Sequence, residues 1–353
     1  MTSSLDQFCQ RIPKCELHAH LNGSLSTKTM KKLLKHHQDK YPGEIPHEKL
    51  NDYIEKNQQM EGLDFGIFDV VRSITDNPAA VRMATYDVIQ EFEQDGVRYL
   101  ELRSTPRGVE GRMTKSEYCD SVIDGILDAQ KDGFEIIVRF LISIDRRKLE
   151  DFDENVGLFL KLRKRYPEIL AGLDISGDPR VNSITELLPK LGELREQGVK
   201  CSIHSAEILN ESETIDVLRY KPDRIGHGTF IHPETGGTQH QLDELLRTET
   251  PVECCLTSNV LCKTSPSYAK HHANYLHNDG ISIMLCTDDK GVFKCSLSGE
   301  YELAMKHFGW DKDFMFNLSF SSIDHIFATD EIKMKLKKEW EQWKMNNQHL
   351  FEC

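Results

Sequence analysis

The chain has 353 residues, 39% of them apolar, and a formal net charge of −13. That length allows one large domain or two smaller ones; no apolar run nears the roughly 20 residues of a membrane span, and the acidic balance excludes a broad nucleic-acid footprint. Met1-Thr2-Ser3-Ser4-Leu5-Asp6 shows no basic segment followed by an apolar one, and the ten cysteines form no Cys-x-x-Cys, so reduced thiols and a cytoplasmic location are expected.

In chain order, the first expected strand covers residues 15–18 and runs into His18-Ala19-His20-Leu21-Asn22-Gly23-Ser24. Side chains alternate along an extended backbone, so His18 and His20 point to the same side and can share one metal ion. Residues 27–75 follow as a long, mostly helical insertion, expected to act as a lid over the site. Further strands are expected at 99–102, 135–144, 169–174, 200–203, 223–226, 252–256 and 281–286. Amphipathic stretches at 80–94, 115–131, 156–165, 182–197, 211–218 and 239–247 separate them. Residues 310–343 read as helices packed outside, within a C-terminal segment 310–353.

Eight strands alternating with helices indicate an α/β fold of the (β/α)8, or TIM, barrel type, one domain spanning residues 1–353. A doubly wound open sheet is the alternative, but no Gly-rich dinucleotide turn opens the chain. The polar residues favour the barrel, because nearly every expected strand ends in chemistry. His18 and His20, Ser104 to Arg107, Asp145, Asp174 to Gly177, His204 to Glu207, His227, Ser258-Asn259 and Asp288-Asp289 all sit where barrel catalytic groups sit.

Alone, His-x-His is a weak signal. With His204 and Asp288 it becomes three neutral nitrogens and one carboxylate from the first, fifth and eighth strands, which suits a single catalytic Zn2+ that activates water. No thiolate belongs to that set, which argues against redox chemistry. His36-His37, His271-His272 and His349 lie in helical or tail segments and are expected to be solvated. Glu207, in a closed mouth, would keep its proton through burial and could protonate a ring nitrogen. His227, between Gly226 and Gly228, could orient the attacking water. Asp289 would point away from Asp288 if the strand continued, and could then accept a hydrogen bond from substrate or water.

Residues 13–23, His204 to Glu207, Arg224 to Gly228 and Thr287-Asp288-Asp289 together resemble the motif series of the adenosine/AMP deaminase family, in order and from about residue 13 to about 330. The resemblance implies a mononuclear-zinc barrel of the amidohydrolase type. It implies His18, His20, His204 and Asp288 as zinc ligands, Glu207 as proton donor to purine N1, His227 as the water-orienting residue, and Gly177 and Asp289 as purine contacts. The phrases Ala19 to Ser24, Leu100 to Arg107, Cys255 to Val260 and Cys286 to Phe293 are similar to the subgroup of N6-methyl-AMP deaminases.

The subgroup implies a purine nucleotide as substrate, N6-methyl-AMP giving IMP and methylamine. Adenosine deaminases proper usually carry Asp where Asn22 stands; an anion there would repel a 5′-phosphate, whereas an amide can donate to it. Ser104, Thr105 and Arg107 on a neighbouring strand end could cradle that phosphate, and His20 and Pro106 complete the expected contacts. Asp145 could bind ribose or pair with Arg146 or Arg147. Arg72 stands where the subgroup tends to carry His, and either takes over that contact or is solvated. A nucleoside substrate, a non-catalytic scaffold and a zinc phosphodiesterase are the rival readings. No nucleic-acid or membrane partner is expected, and the chain is expected to be a monomer.

Overall fold

A computed structural model describes residues 4–60, 62 and 64–351. Eight parallel strands form one sheet in sequential order: β1 Lys14–His20, β2 Val97–Ser104, β3 Ile137–Asp145, β4 Leu170–Ser176, β5 Lys200–Ser205, β6 Arg224–His227, β7 Val252–Cys254 and β8 Ile283–Leu285. Helices lie between them, and the ring closes through backbone bonds from Asp288 N to His18 O (2.8 Å) and from His20 N to Asp288 O (3.0 Å). Residues proposed below as metal ligands therefore close the barrel. The fold is a (β/α)8 barrel.

The strands are buried on both faces, as a parallel sheet sheathed by helices must be. Their outward side chains, among them Leu100, Leu102, Val138 and Ile203, form an apolar layer under the helices. The inward side chains are charged. Arg103 bonds Asp174 (2.9 Å) and Glu253 (3.0 Å), Arg224 bonds Glu253 (2.6 Å) and pairs with Glu101, and Ser202 donates to Glu253 (2.8 Å). All these side chains are fully buried. Charges so far from water persist only when each has partners, so this network fixes the floor on which the site stands.

Some expected boundaries shift. The run at 252–256 stops as a strand at Cys254, and a helix, Leu256–Leu261, begins at once. The stretch 182–197 splits into a 3-10 turn, Ile184–Leu187, and a helix, Leu188–Glu196, with Pro189 at its start, where the missing N–H costs nothing. Residues 27–75 hold three helices: Thr27–Lys40, His47–Gln59 and Ile67–Ile74. Lys294 Nζ holds the end of the middle one through Asn57 O and Met60 O. At the C-terminal end, Trp340 Nε1 donates to Ser319 Oγ (2.9 Å), which donates to Pro13 O (2.5 Å) and so seats two late helices on the start of β1. Among the described residues no helix is long and apolar enough to cross a membrane, and Cys15, Cys119, Cys201, Cys254, Cys255, Cys262, Cys286 and Cys295 are free thiols.

Candidate active site

At the C-terminal mouth, β1 delivers His18 and His20, β5 delivers His204, β6 ends in His227, and Asp288 follows β8. The His20 and His204 Nε2 atoms stand 3.3 Å apart, and Asp288 Oδ1 lies 3.4 Å from His18 Nε2 and 3.5 Å from His20 Nε2. Ring nitrogens of His18, His204 and His227 also lie within 4.8 Å of one another, as do ligand atoms of His18, Cys255 and Asp288. His227 and Asp288 adopt left-handed backbone with φ of 64° and 62°. For non-glycine residues that conformation costs about 1–3 kcal/mol each, and it clusters where function dictates geometry.

Two of the clustered imidazoles have a carboxylate behind them. His18 Nδ1 lies 2.7 Å from Glu253 Oε2, and His204 Nδ1 lies 3.2 Å from Asp174 Oδ1. Such outer carboxylates fix the ring and raise its basicity toward a metal. His18 Nε2 is buried yet has no hydrogen-bond partner among the described residues. Burial pushes His20 down to about 3 and His227 well below its usual range, so both are neutral lone-pair donors. Burial and Arg103 would also lower His18, but Asp288 and Glu253 outweigh them and raise it. A cavity that draws positive charge onto an otherwise unpartnered nitrogen fits a cation. Cys255 competes poorly as a ligand, because burial pushes its thiol pKa far up.

The two adjacent carboxyls part ways. Burial would raise Asp288, but His18, His227 and His20 hold it ionised below the carboxylate range. Burial, reinforced by the Asp288 charge, lifts Asp289 well above that range. Burial and the neighbouring charge thus favour its protonated form. The condition for Asp289 to point away by strand alternation is not met: β8 ends at Leu285, and Asp289 fills the space over Gly23, where a Cβ would overlap its carboxylate. Glu207 leaves β5 through Ala206, whose φ is 55°. Burial pushes it up to about 6, His204 pulling down and Asp288 up, and Oε2 lies 3.6 Å from His227 Nε2. Its buried Oε1 has no partner among the described residues, which leaves it for a ligand.

Gly226 explains how the rings come so close. A Cβ there would stand 2.9 Å from His18 Cε1 and 3.3 Å from His204 Cγ. Gly226→Ala is expected to keep the fold, by circular dichroism, and to weaken metal affinity about 10–100-fold by equilibrium chelator competition, the range seen when ligand orientation is disturbed.

The other expected contacts divide. Asn22 Nδ2 donates to Tyr118 Oη (3.3 Å), which lies 2.6 Å from Ser104 Oγ. Thr105 and buried Pro106 follow β2, and Arg107 Nη2 bonds Arg72 O (3.0 Å), Thr75 O (2.6 Å) and Thr75 Oγ1 (2.8 Å). Arg107 therefore clamps the end of helix Ile67–Ile74. The Arg72 side chain is exposed and only 4.0 Å from Asp69. Asp145 pairs with Arg147 (2.6 Å) and not with Arg146, which binds Glu213 (2.9 Å). Gly177, at φ 111°, is where a Cβ would overlap Asp145.

The expected solvation of several histidines fails. His37, His271 and His272 are buried. His272 Nε2 lies 2.7 Å from His227 O and His271 Nε2 lies 3.0 Å from Asn259 Oδ1. His271 and His272, together with Tyr118 and Glu253, are residues around the site that reading the sequence missed, whereas Asp174 is expected there as a polar strand end. A charged residue inside the apolar run of β7 was the one available signal for Glu253.

Residues 13–343 match the adenosine deaminase family. The chain is 41% identical to the N6-methyl-AMP deaminase of Danio rerio over 98% of its length and 99% of that protein's, and 39% identical to the human one over 97% and 96%. The crystal structure of Arabidopsis ADAL complexed with IMP superposes with a TM-score of 0.86 at 34% identity, over 96% of this chain and 99% of that one. Barrel, convergent imidazoles and full-length similarity agree: the chain is a hydrolytic deaminase and belongs to the adenosine deaminase family.

Proposed function

We propose that this protein hydrolyses N6-methyl-AMP to IMP and methylamine with one zinc ion per chain. Support for the substrate comes from relatives named for that activity and from the neighbour's bound IMP. The single observation that carries the chemistry is the convergence of Glu207, its carboxyl pushed up to about 6 by burial, with His18, His20, His204, His227 and Asp288 in one buried mouth.

His18, His20, His204 and Asp288 would hold the ion, whose Lewis acidity lowers the pKa of water towards ~7. Glu207 gives its proton to the purine ring nitrogen beside C6, which makes that carbon electrophilic. Asp289 donates to a second ring nitrogen, with Gly177 leaving room for the flat base. Neutral His227 accepts a proton from the attacking water. The oxygen adds to C6, the proton held by His227 passes to the exocyclic nitrogen, and as the C6–N bond breaks and the amine leaves, the hydroxyl proton of the adduct returns to Glu207. The 5′-phosphate lies at the rim of Asn22, Ser104, Thr105, Pro106 and Arg107, beneath the helical segment 27–75, which acts as the lid. Ser258 Oγ, donating to Asp288 Oδ2 (2.7 Å), holds that carboxylate to its task.

Turnover of adenosine, AMP, N6-methyladenosine and N6-methyl-AMP by the purified protein tests the reading. The highest kcat/KM is expected for N6-methyl-AMP; a higher value for adenosine overturns it. Asn22→Asp is expected to lower the ratio of kcat/KM for N6-methyl-AMP to that for N6-methyladenosine about tenfold or more, since a new anion would face the phosphate.

A further inference from the structure

The Asn22–Tyr118–Ser104 chain is directional, and Tyr118 sets its direction. Tyr118 is fully buried on the helix Lys115–Lys131, and its hydroxyl meets two side chains. It accepts from Asn22 Nδ2 at 3.3 Å and lies 2.6 Å from Ser104 Oγ. A phenol has one proton, and burial holds this one above its usual pKa, so the proton stays. With the amide already donating to its oxygen, that proton is satisfied by Ser104 Oγ. Were Ser104 to donate as well, the phenol proton would be buried without a partner, which is unfavourable. Exposure follows the same order: Ser104 and Tyr118 are buried, whereas Asn22 is half-buried at the mouth.

We infer that Tyr118 is a positioning residue for nucleotide specificity. By accepting one N–H of Asn22 it fixes the amide plane and turns the second N–H outward, toward an anionic oxygen on the substrate. Ser104 acts behind it, as the acceptor that frees the phenol oxygen to face Asn22. The rim then presents a donor without presenting a charge. This rests on the assignment of the Asn22 edge to the 5′-phosphate.

The test is a double-mutant cycle on the zinc-loaded enzyme with Tyr118→Phe, which keeps the ring and its packing, and Asn22→Ala. The readouts are the nucleotide-to-nucleoside ratio of kcat/KM (N6-methyl-AMP against N6-methyladenosine) and inhibition constants for IMP and inosine. Tyr118→Phe is expected to lower the ratio about tenfold, the loss of one hydrogen bond to a charged group, mostly through KM, and to weaken IMP more than inosine. In the Asn22→Ala background the same change is expected to alter the ratio less than twofold. An unchanged ratio in Tyr118→Phe, or losses that multiply in the double variant, overturns the inference. Should Tyr118→Phe not fold, Ser104→Ala takes its place with the same expectation, and an unchanged ratio there is equally fatal. Wild-type enzyme without nucleotide preference refutes the phosphate assignment itself, and this inference with it. A wild-type preference that survives in Tyr118→Phe refutes only the role of Tyr118.

Discussion

Glu207→Gln is expected to lower kcat about 10²–10⁴-fold, the usual worth of a positioned general acid, while zinc stays bound. Gln fills the same space and can hydrogen-bond, but it has no proton to give. The loss should appear in kcat and kcat/KM alike, because protonation of the ring nitrogen matters in the transition state. Glu207 is suited to the task by burial, which pushes it up to about 6, and by an Oε1 without a partner among the described residues. Steady-state kinetics with metal analysis on the same sample check it. Near-normal turnover with full zinc would remove Glu207 as the acid.

Arg103→Met is expected to destabilise the protein by about 3–5 kcal/mol, the cost of leaving buried carboxylates without their counter-charge. Arg103 is fully buried and is the shared partner of Asp174 and Glu253, the two carboxylates behind His204 and His18. Removing it strands both and lets the braced rings move, so metal affinity should fall with stability. Lys35→Ala is the control: its pair with Asp39 is exposed on both sides, and exposed pairs contribute little. Denaturant unfolding of the two variants separates the cases, and equal midpoints would show that the charged barrel interior does not hold the floor of the site.

The barrel was readable because its signals are local. Eight apolar runs alternate with amphipathic stretches, and β1 brings His18 and His20 to one side by alternation alone. The family motifs then implied how distant segments converge. What stayed hidden depends on register and closure. The direction of Asp289 hung on whether the strand ran on, but β8 ends at Leu285 and the left-handed turn at Asp288 re-aims everything after it. His272 looked like a solvated helix residue, yet its helix begins directly beneath His227, so its ring is buried against that residue's carbonyl. Tyr118 fits an amphipathic pattern and carries no mark of its bond to Asn22. Asp145 could not be assigned from sequence because three chemistries were open to it, and only folding shows Arg147 as its partner.

X-ray absorption at the zinc edge of the purified enzyme reads the ligand shell itself. The arrangement described here predicts one zinc per chain, surrounded by nitrogen and oxygen only, with the multiple-scattering signature of three imidazoles. Sulfur in that shell would place Cys255 at the ion in their stead, and protein active without any bound metal would contradict the account outright.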